Sequence, residues 1–404
     1  MGLDENAGIL TFGGHSYDFD GRLFTENSDF IVQEIEDDGT ILSTERQDST
    51  GPSGEKKDFL TFTLVKEGLS TPEAMRMLAR DLHINVRRIG YNGNKDKRAI
   101  TSQRISIFKL DFERFKIQNQ NMFFRDFNYS EAGCKIGAIY GNRFTIRVRE
   151  FAGDDSDLSE LSEEVKKGLP NFYGPQRFGS QHLNVEVSKK IFARDFRGAF
   201  YSLVLEERKD GRSGDKYRED LRNIFGNFVL NDEEIDIEAA RGALDALPGF
   251  MYNEKMMLRH LMEYKHDYIG AMRLLPKYFR LMIVQAYQSY MFNLVLSRLV
   301  GSIGIDNLPE ELPSIGYDLT LGEDRVSDVI REVMASEGIE SLESFKVTQI
   351  PEASLKTFNR SALIVPENLD IKREGNDIIL SFSLKKGSYA TILLMKMFPS
   401  IYKD

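Results

Sequence analysis

Gly93-Asn-Lys-Asp-Lys-Arg-Ala99 sets one carboxylate, Asp96, among Lys95, Lys97 and Arg98 in a loop that follows a predicted strand. Cations so close favour the ionised acid. The loop therefore predicts an Asp96 carboxyl held below the usual range, suited to act as nucleophile or base rather than as general acid. Gly93 permits backbone shapes closed to most residues. On spacing alone a charged surface turn explains the loop at least as well. A second segment, Asn171-Phe-Tyr-Gly-Pro-Gln-Arg-Phe-Gly179, combines three aromatics with Asn171, Gln176 and Arg177. Aromatic and arginine side chains line pockets that hold an unstacked base, although a packed turn with buried aromatics fits that composition equally well. Tyr287, Tyr290 and Met291 fall at helical spacing, which reads as core packing.

Other chemistries find little support. The five histidines, His15, His83, His182, His260 and His266, show no HxxxH or HExxH spacing. Cys134 is the one cysteine, so an internal disulfide and a CxxC zinc site are both excluded. The chain carries no GxxxxGK[ST] or GxGxxG phosphate loop. Neither metal nor cofactor is expected. The net charge of −10 argues against a nucleic acid partner. Local distribution argues the other way, because residues 85–117 hold nine basic side chains and only three acidic ones, Asp96 among them.

The elements that must position these groups change character along the 404 residues. Strands are expected at Asp29–Ile35, Phe59–Val65, Val86–Tyr91, Ile105–Leu110, Phe123–Tyr129 and Phe144–Val148, with an amphipathic helix over Pro72–His83 and an acidic helix ending near Gly168. Helical patterns dominate Val185–Phe200, Lys216–Phe225, Ile237–Leu247, Glu254–Tyr264 and Phe279–Val300. Leu308–Leu321 is Pro/Gly-rich and reads as irregular. Strand patterns return at Leu363–Val365, Ile378–Leu384 and Tyr389–Leu394. The order predicts an α+β protein with a helical insertion: a core of residues 1–183 and 350–404, and an insertion of 184–349. Arg280, Gln285, Gln288, Asn293 and Arg298 interrupt the longest apolar stretch, which argues against a membrane span. No secretory signal is visible, so a cytoplasmic protein is expected.

Five segments in order resemble the TruD family of tRNA pseudouridine synthases: Asp29-Phe-Ile-Val-Gln-Glu34, Gly93 to Thr101 with Gln103, Asn171 to Gly179, Ala286 to Asn293, and Gly387-Ser-Tyr-Ala-Thr391. The GxKDxxAxTxQ and NxxGxQRFG matches are the specific ones. The resemblance implies a pseudouridine-synthase catalytic core of mixed, mainly antiparallel sheet with flanking helices, a mostly helical TruD-type insertion domain, and RNA in the cleft between them. It implies Asp96 as nucleophile and tRNA as partner, with uridine 13 of the D-arm as target. Phe30, Glu34, Lys95, Gln103, Asn171, Tyr173, Gln176 and Arg177 are then expected at the substrate, and Lys97, Arg98 and Arg104 at the RNA backbone. The implied isomerisation needs no cofactor. A monomer is expected.

Two positions depart from the family pattern. Phe24 stands where the family often has a lysine, leaving Arg22 or Lys95 to take its part if the pairing exists at all. Tyr173 stands where the family has Phe. A non-catalytic RNA-binding protein on a degenerate synthase fold stays open on the strength of Phe24. So does a hydrolase using Asp96, with Asp29 or Glu34 as the partner that activates water.

Overall fold

The computed structural model describes residues 4–46, 51–52, 54–117, 119–179, 182–208 and 214–400. The chain divides into two compact units, a sheet unit of His15–Leu169 with Ile364–Ile401 and a helical unit of Met1–Gly14 with Pro170–Leu363 and Tyr402–Asp404. The bounds expected at 183/184 and 349/350 differ from these. Residues 170–183, 350–363 and the first 14 residues group with the helices. The reason is local: Asn293, on the long helix Lys277–Ile303, hydrogen-bonds both Tyr173 and Ala7.

The sheet unit is built on β1 (Phe30–Ile35), β2 (Phe59–Glu67), β3 (Ile100–Phe108), β4 (Met122–Ser130), β5 (Gly141–Ala152), β6 (Glu367–Glu374) and β7 (Asp377–Lys385). They pair in the order β6-β7-β5-β1-β3-β2-β4. Only β1 and β3 run parallel; every other neighbouring pair in that order is antiparallel. This mixed, mainly antiparallel sheet with helices is the expected α+β class. Helix α1 (Thr71–Asp81) starts at a reciprocal cap, Ser70 with Glu73, and has Pro72 in its first turn. Its Ala74, Met75 and Leu78 pack on Leu60, Phe62, Leu64, Ile105 and Ile107 of the sheet.

The register shows what happens at the end of that packed face. On β2 and β3 the directly opposed pairs are Leu60 with Ile107, Phe62 with Ile105, Leu64 with Gln103 and Lys66 with Thr101. Alternate residues share a face, so a face that begins apolar becomes polar at the Lys66 end.

The helical unit surrounds the long helix, which is buried along Ile283–Val300 and packs against Leu183–Phe192 and Arg325–Ser336. Several expectations are corrected. Val185–Phe200 is two helices, Leu183–Phe192 and Phe196–Val204, because Arg194 takes a positive φ of 64° and Asp195 caps the second. Leu308–Leu321 contains a strand, Glu311–Ser314, paired with Phe358–Ser361. Tyr389–Leu394, expected as a strand, opens a helix at Ala390–Met397. That run is buried on every side, so no helical stripe of polar residues marks it.

Candidate active site

Residues 92–99 lie over the polar end of the α1-facing sheet surface. Four side chains hold the loop from beneath. Glu34 on β1 forms an ion pair with Lys95 at 2.8 Å, with the two side chains 0% and 4% exposed. The other oxygen of Glu34 accepts from Asn92 Nδ2 at 3.1 Å and from the Arg104 amide at 3.2 Å. Thr71, the first residue of α1, accepts from the Lys95 amide at 2.9 Å and donates to Gln103 Oε1 at 2.9 Å. Gln103 Nε2 in turn donates to the Gly93 carbonyl at 3.2 Å. Lys66 donates to the carbonyl of Asp96 at 2.9 Å.

Asp96 itself is exposed. Its carboxyl pKa lies above the usual value, because the surrounding protein removes water from it more effectively than Lys66 and, less strongly, Lys95 pull it down. The expectation of a lowered pKa is therefore overturned. The side chain still meets solvent, so the shift reflects crowding around an open group, not a sealed cavity. A raised pKa makes the carboxylate the stronger base.

Several expected contacts are also corrected. Phe30, Glu34, Lys95 and Gln103 are buried rather than facing outward; Glu34, Lys95 and Gln103 fix the loop. Phe30 packs between Phe24 at 5.2 Å and Phe144 at 6.1 Å. Arg104 follows Gln103 on β3 and so points to the opposite face. There its guanidinium holds both oxygens of Glu36, at 3.0 and 2.6 Å, on the wall of a 710 Å³ cavity with Asp126 and Cys134. Its charge is already answered. Lys97 reaches Glu73 at 2.9 Å but stays exposed, as does Arg98. The basic run is thus not one groove. Arg22 pairs with Glu150 at the surface, and Asp29 is held by Arg149. Among the described residues no hydrogen bond or ion pair joins Asp29 or Glu34 to the Asp96 carboxylate, which removes the support for a hydrolase.

The aromatic segment belongs to the helical unit. Asn171 accepts from Arg360 at 2.7 Å and donates to the Ser361 carbonyl at 2.9 Å. The Arg360 guanidinium lies 4.0 Å from the Tyr173 ring centre, and the Phe292 ring meets Tyr173 edge-on at 5.6 Å. Tyr173 is 7% exposed. Both side chains, expected at the substrate, are thus engaged with Arg360 within the helical unit. Arg177 pins the segment to the long helix through Ser289 and Gln285, each at 3.0 Å. Gln176 is exposed.

Sequence reasoning missed Lys66 and Arg360. Lys66 had a signal: it continues the alternation Leu60, Phe62, Leu64 onto the core face. Arg360 had none.

The family model described as tRNA pseudouridine synthase D (TruD) matches residues 6–311 and 306–397. The chain belongs to the TruD family. A Methanocaldococcus jannaschii protein named "Probable tRNA pseudouridine synthase D 1" is 31% identical over 387 residues, covering 91% of this chain and 92% of that protein. A Methanopyrus kandleri relative named "Probable tRNA pseudouridine synthase D" is 32% identical over 364 residues, covering 85% and 86%. A crystal structure from Methanosarcina mazei, described as a TruD protein, superposes with a TM-score of 0.73 at 25% identity and covers 99% of both chains. As a TruD member the chain is an isomerase of the pseudouridine-synthase type. No helix among its described residues is long and apolar enough to cross a membrane.

Proposed function

We propose that this TruD protein isomerises uridine 13 in the D-arm of tRNA to pseudouridine, with Asp96 as the reacting group. The observation that carries the proposal is the exposed Asp96 carboxylate on a loop whose backbone is fixed from below by Lys66, Thr71, Gln103 and the Glu34–Lys95 pair. A reacting group fixed in place spends little freedom on reaching its geometry.

A stacked uridine is out of reach, so the nucleotide must leave the helix, at a cost of roughly a few kcal/mol. The ionised Asp96 then acts at the ribose. It attacks C1′ as the N1–C1′ bond breaks, or it takes the C2′ proton to give a glycal. In either course the uracil turns and C5 bonds to C1′, which breaks the Asp96–C1′ ester in the first and is accompanied in the second by return of the proton from Asp96 to C2′; the C5 proton then leaves to solvent while N1 gains one. No electron is gained or lost overall. The raised pKa of Asp96 strengthens it for both roles, provided the pH keeps it ionised. Lys97 and Arg98, both exposed beside it, are the cations placed to meet phosphate.

The test uses tRNA carrying uridine tritiated at C5. Asp96→Asn should bind the RNA and release no label. Full release by that variant would end the assignment of Asp96. Release that persists when uridine 13 is replaced by cytidine would move the target elsewhere. A wild-type protein that releases nothing in a single turnover would favour a non-catalytic RNA-binding role.

A further inference from the structure

Lys66 is 1% exposed, at the end of a strand face that otherwise carries Leu60, Phe62 and Leu64. A buried ammonium is costly unless its donors are answered. Here three carbonyl oxygens meet its three donors: Leu69 at 2.6 Å, Asp96 at 2.9 Å and Lys95 at 3.4 Å. No carboxylate hydrogen-bonds to it among the described residues. Lys95 next to it is different, since Glu34 balances its charge directly. The Lys66 charge is therefore directed at the backbone of the loop, and its field at the Asp96 carboxylate.

We infer that Lys66 is a positioning residue for Asp96: its ammonium fixes the Asp96 carbonyl, and with it the direction of the side chain, and keeps a positive charge under the carboxylate. The inference rests on the reading of Asp96 as the reacting group. Three charged groups face Lys66. Asp96 and Glu73 favour its protonated form, and Lys95 opposes it. Burial outweighs all three and brings the ammonium down to about 8. Lys66 is also the strongest influence drawing the Asp96 carboxyl back down against the crowding that raises it. The attraction strengthens once RNA displaces water from the loop, because screening by solvent falls.

The experiment compares wild type, Lys66→Met, Lys66→Arg and Asp96→Asn as full-length proteins. The readout is single-turnover tritium release from C5-labelled tRNA across a pH series, with RNA affinity measured separately. Misplacing a reacting group can cost about 100-fold in rate, and a loss of that size is expected for Lys66→Met with RNA affinity unchanged. The wild-type rate should fall as the pH rises through about 8, where Lys66 gives up its proton. Lys66→Arg, which stays charged, should recover part of the rate and lack that fall. Ionisation of uridine itself is common to both proteins and cancels in the comparison.

Lys66→Met with the wild-type rate and pH profile overturns the inference. If Lys66→Met shows no cooperative melting transition, the other pair decides. A fall present in wild type and absent from Lys66→Arg supports the role of Lys66, and an identical profile in both overturns it. Asp96→Asn separates the two readings. Label release by that variant removes Asp96 whatever Lys66 does, whereas an inert Asp96→Asn beside an unaffected Lys66→Met rejects Lys66 alone.

Discussion

The loop at 92–99 and the segment at 171–179 are both irregular backbone, yet they are held by different physics. Charge buried beneath the sheet-unit loop secures it: Glu34 against Lys95, and Lys66 against three carbonyls. Amide bonds from Asn293, together with the guanidinium of Arg360 over Tyr173 and that of Arg177 bonded to the neutral Ser289 and Gln285, secure the segment in the helical unit. Buried ions impose a fixed geometry because any displacement leaves a charge uncompensated. Neutral amide bonds lose less when they open. A group that must sit at one point, such as Asp96, gains from the first kind of support.

The largest effect should come from breaking the ionic support. Glu34→Ala leaves Lys95 buried without its counter-ion and should cost about 3–5 kcal/mol. Amide hydrogen exchange at 92–99 is the measurement that localises it. Adding Lys95→Met should recover part of that loss, since the desolvated charge goes with it. A double variant as unstable as the sum of the singles would break the comparison at its root.

In the helical unit, Asn293→Ala removes the partners of the Tyr173 amide, the Tyr173 carbonyl and the Ala7 carbonyl. A loss of about 3 kcal/mol is expected, below the ionic case because no charge is stranded. Exchange at 171–179 should rise. Arg360→Ala removes the stacked guanidinium and its bonds to Asn171, with about 2 kcal/mol expected. Chemical denaturation of the two variants under one set of conditions tests the order. Arg360→Ala costing more than Glu34→Ala would reverse the contrast between the two regions.

The same division explains what could be read from sequence. The Asp96 loop was legible because Gly93, Lys95, Asp96, Ala99, Thr101 and Gln103 lie within one short window. Helix α1 was legible because Ser70, Pro72 and Glu73 announce its start. That distant side chains such as Lys66 and Arg360 act as supports was not legible, because their partners lie far along the chain. Lys66 lies 30 residues from Asp96 and Arg360 lies 189 from Asn171. Charged or polar residues such as Lys95, Glu34 and Gln103 suggest exposure by type, and only the fold reveals that they face inward. Asp96 shows the same limit in its electrostatics. Neighbouring cations are visible in sequence and argue for a lowered pKa, whereas the crowding that raises it is a property of the folded chain. Ala390–Met397 escaped for a related reason: an apolar run buried all round carries no period to distinguish helix from strand.

The smallest effect concerns the cap that seats Thr71 beneath the Asp96 loop. Ser70 accepts from the Glu73 amide, and Glu73 accepts from the Ser70 amide. Ser70→Ala should cost about 1 kcal/mol. Lys97 first, then Ser70, hold the Glu73 carboxyl down to about 2 from its ordinary value near 4.5. A depressed carboxylate stabilises the fold above its unfolded pKa and loses that contribution as pH falls toward the folded value. The sheet unit should therefore weaken between about 4.5 and about 2 through this group. Glu73→Gln should flatten that limb, measured as protection at 71–81 against pH. Because Thr71 joins Lys95 to Gln103, loosening the cap should also loosen 92–99, but less than loss of Glu34 does. An equal effect at 92–99 would make the cap, and not the buried ion pair, the main support of the Asp96 loop.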